Sequence, residues 1–354
     1  MRKVLKYLLL YTLALFTGCV DPITFETGSA DNQVVFFGNF TQLCTDHIFT
    51  ITQTANLGEP PTPVSGAVVV ILDDEGNSAD YLEVEPGKYL LTPDKIEGTP
   101  GKSYHIEIAL ANGKSYFTRP QVMPEPIEVD TIYFEINLIE ELSGAGVLVE
   151  KTVVEVFIST PLKDNSGAFP DLRWAVEEVY SFVDLSCGPF DFATTCYFVD
   201  PIDDSEVLLY RNEGNNQEFL DRLKVRSRLL APFDEFTARH YFLVNQYTIS
   251  EEESEYWEKI DAVANQSGSL FDVQPAAVAG NIIEEGNEPS QVLGYFGVNG
   301  ANAVRTFTTP FNILPIRIFD CNDPSYFRDH LPECCNCSTK TGIQIERPDY
   351  WDED

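Results

Sequence analysis

Basic residues are scarce in this 354-residue chain, which has 23 Lys and Arg against 56 Asp and Glu. The formal net charge of −33 at pH 7 disfavours nucleic acids and anionic lipid surfaces as partners, because both would be repelled. We interpret the acidity as a solvated surface, since acidity alone does not indicate cation binding. With 44% apolar and 12% aromatic residues, the chain can still bury a large core.

Motifs for catalysis are also lacking. The sequence has no H-E-x-x-H, no G-x-S-x-G and no glycine-rich phosphate loop before a helix. Only four histidines occur, and they are scattered: His47, His105, His240 and His330. The many carboxylates leave a glycosidase-like pair open, but nothing marks one. We therefore expect no enzyme and no cofactor.

Two acidic segments, residues 73–77 and 164–167, offer oxygen ligands for calcium. Neither fits the EF-hand loop, and Asp, Asn and Gly are also the usual residues of turns. We interpret both segments as turns and predict no metal site.

Apolar runs long enough to cross a membrane as a helix are missing, since about 20 residues are needed. The run at residues 7–16 is shorter, and it follows the basic Arg2, Lys3 and Lys6. It leads into Thr17-Gly18-Cys19, so the segment has the three parts of a secretory signal. A Cys directly after the small residues is typical of a bacterial lipoprotein signal, although Phe16 replaces the usual Leu. An ordinary signal peptide that happens to contain a Cys is the alternative.

We therefore predict a signal peptide over residues 1–18, lipidation of Cys19, and a polar tether over residues 19–31. Acyl chains contribute roughly 0.8 kcal/mol per buried CH₂, and two or more of them give stable anchoring. The expected partner through Cys19 is thus the membrane itself.

Short strand-like segments follow each other from residue 32 onward, separated by turn residues. The clearest hairpin has alternating apolar residues at 104–110, then Asn112-Gly113, then Ser115-Tyr116-Phe117. Asn-Gly predicts a two-residue type I′ turn. The number of short strands favours an immunoglobulin-like β-sandwich over residues 32–124. Prolines at 120, 124 and 126 indicate a domain boundary.

The remainder, residues 125–354, predicts a second β-rich domain with one or two helices and a Cys-rich C-terminal tail. The fold class is therefore mainly β. One helix is well marked, because Ser250 and Glu253 form a capping box and apolar residues then recur at helical spacing. We interpret the aromatic residues of this helix, Tyr256 and Trp257, as core packing.

Seven cysteines follow Cys19, and export to an oxidising compartment favours disulfides among them. One bridge is expected between Cys187 and Cys196, which flank a short turn-rich stretch. Another is expected between Cys321 and one of Cys334, Cys335 and Cys337. An odd number leaves at least one thiol free unless chains pair. Zinc at the Cys334-Cys335-x-Cys337 cluster is the alternative, although the usual C-x₂-C spacing is missing.

One basic stretch interrupts the acidic background and consists of Arg222, Lys224, Arg226 and Arg228. In an extended strand these four cations would share one face. They could contact an acidic partner or a carboxylate-bearing ligand, but we favour neutralisation of the protein's own acids.

Several segments, taken in order, resemble one family. They are the lipoprotein signal; Pro63-Val64-Ser65-Gly66-Ala67-Val68-Val69; Pro86-Gly87-Lys88-Tyr89; Leu172-Arg173-Trp174; Tyr256-Trp257; Leu270-Phe271-Asp272-Val273-Gln274-Pro275; Gly280-Asn281; Gly294-Tyr295-Phe296; Cys334-Cys335-Asn336-Cys337; and Pro348-Asp349-Tyr350-Trp351. Together they resemble the envelope lipoprotein family called domain of unknown function 4249. The departure is Ile343-Gln344-Ile345, where a glycine-rich stretch is expected.

The resemblance implies a lipid-anchored outer-membrane protein, often encoded beside a TonB-dependent transporter, and no catalytic residues. We expect it on the cell-surface face rather than the periplasmic face, although the cluster of acids expected just after Cys19 as a surface-export signal is reduced to Asp21 and Glu26. The function expected is that of a non-catalytic accessory or binding partner of such a transporter in nutrient capture. A structural or adhesive surface module with an immunoglobulin-like domain is the alternative.

Overall fold

The computed structural model describes residues 33–55, 59–144, 146–184, 194–200, 207–212, 214, 217–230, 239–265, 278–286, 292–309, 337 and 342–352. The protein is mainly β, as predicted. Its strands are β1 (Val34–Thr41), β2 (His47–Gln53), β3 (Thr62–Pro63), β4 (Val68–Asp73), β5 (Ser78–Glu85), β6 (Lys88–Leu91), β7 (Ser103–Ala109), β8 (Ser115–Thr118), β9 (Gln121–Val122), β10 (Thr131–Leu142), β11 (Leu148–Pro161), β12 (Asp171–Asp184), β13 (Thr194–Asp200), β14 (Leu208–Tyr210), β15 (Phe219–Leu229), β16 (His240–Ile249), β17 (Ile282–Glu284), β18 (Leu293–Thr308) and β19 (Ile343–Ile345). Helix α1 spans Glu251–Ala264, and a 3₁₀ turn spans Asp349–Asp352.

The first β region is packed around one large apolar core. Its strands follow the order β8-β7-β4-β5-β6-β2-β1, and alternate side chains point inward from them. Phe36, Phe49 and Tyr89 from one end of this path pack with Ile71 and Ile106 from the other, and all five are fully buried. Each such side chain contributes roughly 1.5–3 kcal/mol on burial. The region is therefore a β unit packed around one core, while its immunoglobulin-like topology stays a prediction.

The predicted hairpin between β7 and β8 forms, but its turn differs. Among these residues only Gly113 has a positive φ, +86°, whereas a type I′ turn needs two such residues in succession. Leu110 N donates to Lys114 O at 2.9 Å, and the Asn112 side chain accepts from Lys114 N at 3.0 Å. The loop is thus longer than two residues and uses one left-handed glycine, so the type I′ prediction is wrong.

The second β region is built from two facing sheets. One contains β12, β16 and β18, and the other has the order β10-β11-β15. Trp174 and Phe242 from the first sheet pack with Val154, Val156 and Ile158 from the second. Helix α1 covers the opposite face of the first sheet, where Trp257 lies beside Tyr295 in a smaller apolar cluster.

Strand β18 joins the two regions. Its first half pairs with β1 in parallel, from Val35↔Leu293 to Thr41↔Asn299, and its second half pairs with β16 antiparallel. Phe296 and Val298 therefore belong to the first core, although they lie far beyond Pro124 in sequence. Residues of β18 thus contribute to the core of the first β region. The domain boundary near Pro124 stays a prediction.

None of the helices in the described part of the chain has the length and apolar character needed to span a membrane.

Candidate functional site

The predicted lipidation site, Cys19, lies outside the described residues, as do Cys187, Cys321, Cys334 and Cys335. Cys196 and Cys337 form a disulfide with each other, at a Cα–Cα distance of 6.3 Å and a sequence separation of 141 residues. The expected local bridge between Cys187 and Cys196 is therefore wrong, as is any bridge from Cys321 to Cys337.

The physical reason lies in the C-terminal tail. Strand β19 pairs antiparallel with β13, with Tyr197 opposite Ile345, and this brings the tail to the strand that carries Cys196. Trp351 then packs 4.9 Å from Tyr197 and 5.0 Å from Tyr241, measured between ring centroids. The disulfide thus fastens a tail that also pairs and packs. Cys44 is free and exposed.

The four cations of the basic stretch are all paired within the protein. Arg222 contacts both carboxylate oxygens of Glu135 at 2.6 Å, and Lys224 Nζ lies 2.9 Å from Glu155. The other two cations, Arg226 and Arg228, reach Glu178 and Asp200. Internal neutralisation, the favoured interpretation, is what the structure shows.

These cations do not share one face. A bulge in β15 places Val225 as an extra residue, since Lys224 pairs with Phe157 and Arg226 with the adjacent Val156. A one-residue shift turns every following side chain to the other face of the sheet. Arg226 and Arg228 therefore point between the two sheets, while Lys224 points outward. The expectation of a single cationic face is wrong.

Glu178 is the centre of a buried ionic cluster at this inner face. Its Oε1 accepts from Arg226 Nε at 2.5 Å, and its Oε2 lies 2.9 Å from His240 Nε2. Burial opposes ionisation of Glu178, but the hydrogen bond to His240 and the charges of His240, Arg226 and Arg228 outweigh it and lower its pKa to about 2. The carboxylate is thus ionised at neutral pH, and it links the facing sheets through Arg226 of β15.

A second polar cluster joins α1 to the sheet. The Arg173 guanidinium lies 4.3 Å from the ring centre of Trp257 and 4.8 Å from that of Tyr247. Glu253 Oε1 accepts from Trp257 Nε1 and from Asn299 Nδ2, each at 3.1 Å. We call these five residues the helix cluster.

The helix cluster modifies the predicted capping box. Ser250 caps the helix as expected, since its hydroxyl accepts from Glu253 N at 3.2 Å. The Glu253 side chain does not complete the box, because it turns inward to Trp257 and Asn299. Burial raises the pKa of Glu253, and Arg173 only partly opposes this. Arg173 Nε, Glu253 Oε2 and Asn299 Oδ1 have no hydrogen-bond partner among the described atoms.

Glycines near α1 permit close backbone contact. A Cβ on Gly280 would lie 1.5 Å from Gly294 O, so no larger residue fits there. The neighbouring Asn281 side chain donates to Phe296 O at 2.7 Å and accepts from Phe296 N at 3.0 Å. The segments Gly280-Asn281 and Gly294-Tyr295-Phe296, which carry the family resemblance, therefore meet in space for packing.

The two acidic turns are held by their own carboxylates. Asp73 accepts from Asn77 N at 2.8 Å and from Glu75 N at 3.0 Å. Asp164 accepts from Ala168 N at 2.8 Å and from Ser166 N at 2.9 Å. Both segments form turns.

An exposed apolar hairpin end is the feature that the sequence reasoning missed. We call the paired segments 138–142 and 147–152 the ribbon. Six large apolar side chains are exposed on it: Leu138, Ile139, Leu142, Val147, Leu148 and Val149. The sequence signal for this feature is the run of three apolar residues at 147–149, next to a glycine-containing turn. An exposed strand would instead alternate apolar and polar residues.

Comparison with curated proteins finds no match. A family model does match, over residues 20–303, which include β1 to β17, the helix cluster and the ribbon. This span is well over half of the chain, and it contains the quoted motifs from Pro63 to Phe296. The chain therefore belongs to the family described as Domain of unknown function (DUF4249).

Proposed function

We propose that the protein is a lipid-anchored outer-membrane protein that serves a TonB-dependent transporter as a non-catalytic binding partner. The observation that carries the proposal is the N-terminal signal, in which three basic residues and a short apolar run lead into Gly18-Cys19. Lipidated Cys19 would hold the chain at the membrane. The tether of residues 19–31 could then extend up to about 45 Å from the anchor.

The acidic composition and the ribbon support a binding role. A chain with a net charge of −33 is repelled by anionic surfaces, so acyl chains rather than surface charge would supply membrane attachment. An exposed apolar patch on such a chain is typical of a protein-binding surface. In this role the protein would help to capture substrate for the transporter or gate its entry, on the cell-surface face.

Anchoring is tested by Cys19→Ala in the full-length chain expressed in its own cells. We expect the wild-type protein to incorporate a labelled fatty acid and to fractionate with the outer membrane, and the variant to do neither. Cys44→Ser is the matched control and should stay labelled. Labelling of the Cys19→Ala variant would overturn lipidation at this residue.

Partnership is tested by purifying the wild-type protein from its own outer membrane in mild detergent. A TonB-dependent barrel protein should be recovered in stoichiometric amount, and deletion of the gene should reduce uptake of a nutrient. Recovery without any barrel protein, with unaltered uptake and lost attachment to glycan or protein arrays, would favour the structural or adhesive alternative.

A further inference from the structure

The ribbon continues beyond the sheet to which it belongs. Five successive pairs, from Leu138↔Thr152 to Leu142↔Leu148, join β10 to β11. The third strand, β15, pairs with β11 only from Val153 onward. Residues 138–142 and 148–152 therefore form a two-stranded structure about 17 Å long. Such a ribbon is marginally stable by itself, so exposed apolar residues are not expected there for folding alone.

Its apolar side chains are exposed on both faces. Leu142 and Leu148 lie opposite each other and are 66% and 60% exposed. Ile139 and Val149 lie on the other face and are also exposed. The ribbon carries six of the fourteen large apolar residues that are exposed in the described chain, and the other eight are distributed over several strands.

Acidic side chains surround the apolar end. Glu140 and Glu150 face each other directly across the two strands, a pairing of like charges that costs stability. Glu141 pairs with Lys151 at 2.5 Å, which leaves the ribbon with excess negative charge. An anionic membrane surface would repel this rim, and so would the ribbon of a second copy. Both are therefore disfavoured as occupants.

We propose that the ribbon inserts its apolar end into a pocket, rimmed by Lys and Arg, on an outer-membrane protein. Leu142 and Leu148 fill the pocket, and Glu140 and Glu150 meet the basic rim, which relieves their mutual repulsion. Buried apolar anchors inside a charged rim are the usual anatomy of a strong contact. The inference rests on the proposed function only for the location of the partner.

Site-specific photocrosslinking in intact cells tests the contact. A benzophenone side chain replaces Leu142 or Leu148 in the full-length protein, and in matched controls it replaces Leu82 or Val122, which are 62% and 61% exposed. We expect one outer-membrane protein to crosslink from the ribbon at least tenfold more than from the controls. Its crosslinked peptides should lie in an apolar pocket with Lys or Arg at its edge.

Copurification provides an independent test with two double variants. It measures how much of the crosslinked outer-membrane protein is recovered with each variant in mild detergent. Leu142→Ser with Leu148→Ser should reduce recovery at least tenfold, and Glu140→Lys with Glu150→Lys should do the same through the rim. Val122→Ser should leave it unchanged. All variants should keep the wild-type unfolding temperature, because the changed side chains are exposed.

The outcomes separate this inference from the proposed function. Crosslinks to lipid, to a second copy of this chain or equally from the control positions would overturn the ribbon contact, as would absence of any crosslink. A barrel protein that copurifies equally with wild type and ribbon variants also overturns it, while leaving the proposed function intact. A ribbon crosslink to an outer-membrane protein other than a transporter supports the contact and overturns the transporter partnership.

Discussion

The guanidinium of Arg173 stacks 4.3 Å from the ring centre of Trp257 and thereby fastens helix α1 to the central strand β12. Trp257 also contacts the ring of Phe37 at 5.8 Å and donates to Glu253. One side chain thus links α1 to strands of both β regions. The helix is therefore part of the junction that β18 forms between them.

Replacing Trp257 by Ala should lower the free energy of unfolding by about 3–5 kcal/mol, because it removes a buried aromatic ring and leaves its partners exposed to a cavity. Chemical denaturation followed by circular dichroism measures the change. Trp257→Phe should cost less, since it keeps most of the ring and loses only the hydrogen bond to Glu253. Lys259→Ala, at an exposed position of the same helix, should stay within about 0.5 kcal/mol of wild type. Equal stability of Trp257→Ala and Lys259→Ala would contradict the proposed junction.

The ionic cluster around Glu178 predicts a loss of stability in strong acid. The difference between the ordinary pKa of 4.5 and the folded value of about 2 corresponds to about 3 kcal/mol. Since the folded pKa is the lower one, this stabilisation is present above pH 4.5 and is lost as the pH falls toward 2. Glu178→Gln should therefore be about 3 kcal/mol less stable than wild type at pH 7 and should depend less on pH in this window.

Denaturation curves at several pH values check the behaviour of Glu178. The exposed acid Glu128 supplies the control, and Glu128→Gln should keep both the stability and the pH dependence of wild type. If Glu178→Gln retained the wild-type slope between pH 4.5 and 2, the cluster would not be responsible.

The burial of His47 predicts a second loss of stability, which begins at a higher pH. It is buried in the first core, where its ring lies 4.9 Å from that of Phe40. Burial, partly opposed by Asp46, lowers the pKa of His47 from 6.5 to about 4. The unfolded chain therefore binds more protons between these values, and stability falls as the pH drops from 6.5 to 4, by up to about 3 kcal/mol. His47→Gln should remove this dependence, and thermal unfolding across the window measures it.

The partly exposed His105 provides the comparison for His47. His105→Gln should leave the slope between pH 6.5 and 4 as it is in wild type. An unchanged slope in His47→Gln would mean that other groups cause the acid sensitivity.

Local patterns predicted much of the fold. Alternation of apolar residues identified β2 and β7, and Ser250 identified the start of α1, because these signals lie within a few neighbouring residues. Pairing between distant segments could not be predicted in this way. Nothing near β18 shows that its halves join β1 and β16, since the partners are set by the tertiary arrangement.

The candidate sites show the same division. Neutralisation of Arg222 and Lys224 follows from composition alone, because acids greatly outnumber cations. The inward turn of Arg226 depends on the bulge at Val225, and a bulge of one residue has no reliable sequence signature. The disulfide partner of Cys196 depends on the path of the C-terminal tail over 141 residues, so spacing favoured a wrong local bridge.

That disulfide predicts a specific effect on stability. Cross-linking across 141 residues restricts the unfolded chain strongly, so Cys196→Ser with Cys337→Ser should lower the free energy of unfolding by about 2–5 kcal/mol. Cys44→Ser should have little effect, because Cys44 is free and exposed. Chemical denaturation without reductant measures the free energy of unfolding of both variants. If the Cys196–Cys337 disulfide provides the stabilisation, reductant should lower the free energy of unfolding of the wild type but not that of the double variant. A peptide map of the non-reduced protein provides the direct check: it should join the peptides of Cys196 and Cys337, and a peptide joining Cys187 to Cys196 would show that the tail is not fastened in this way.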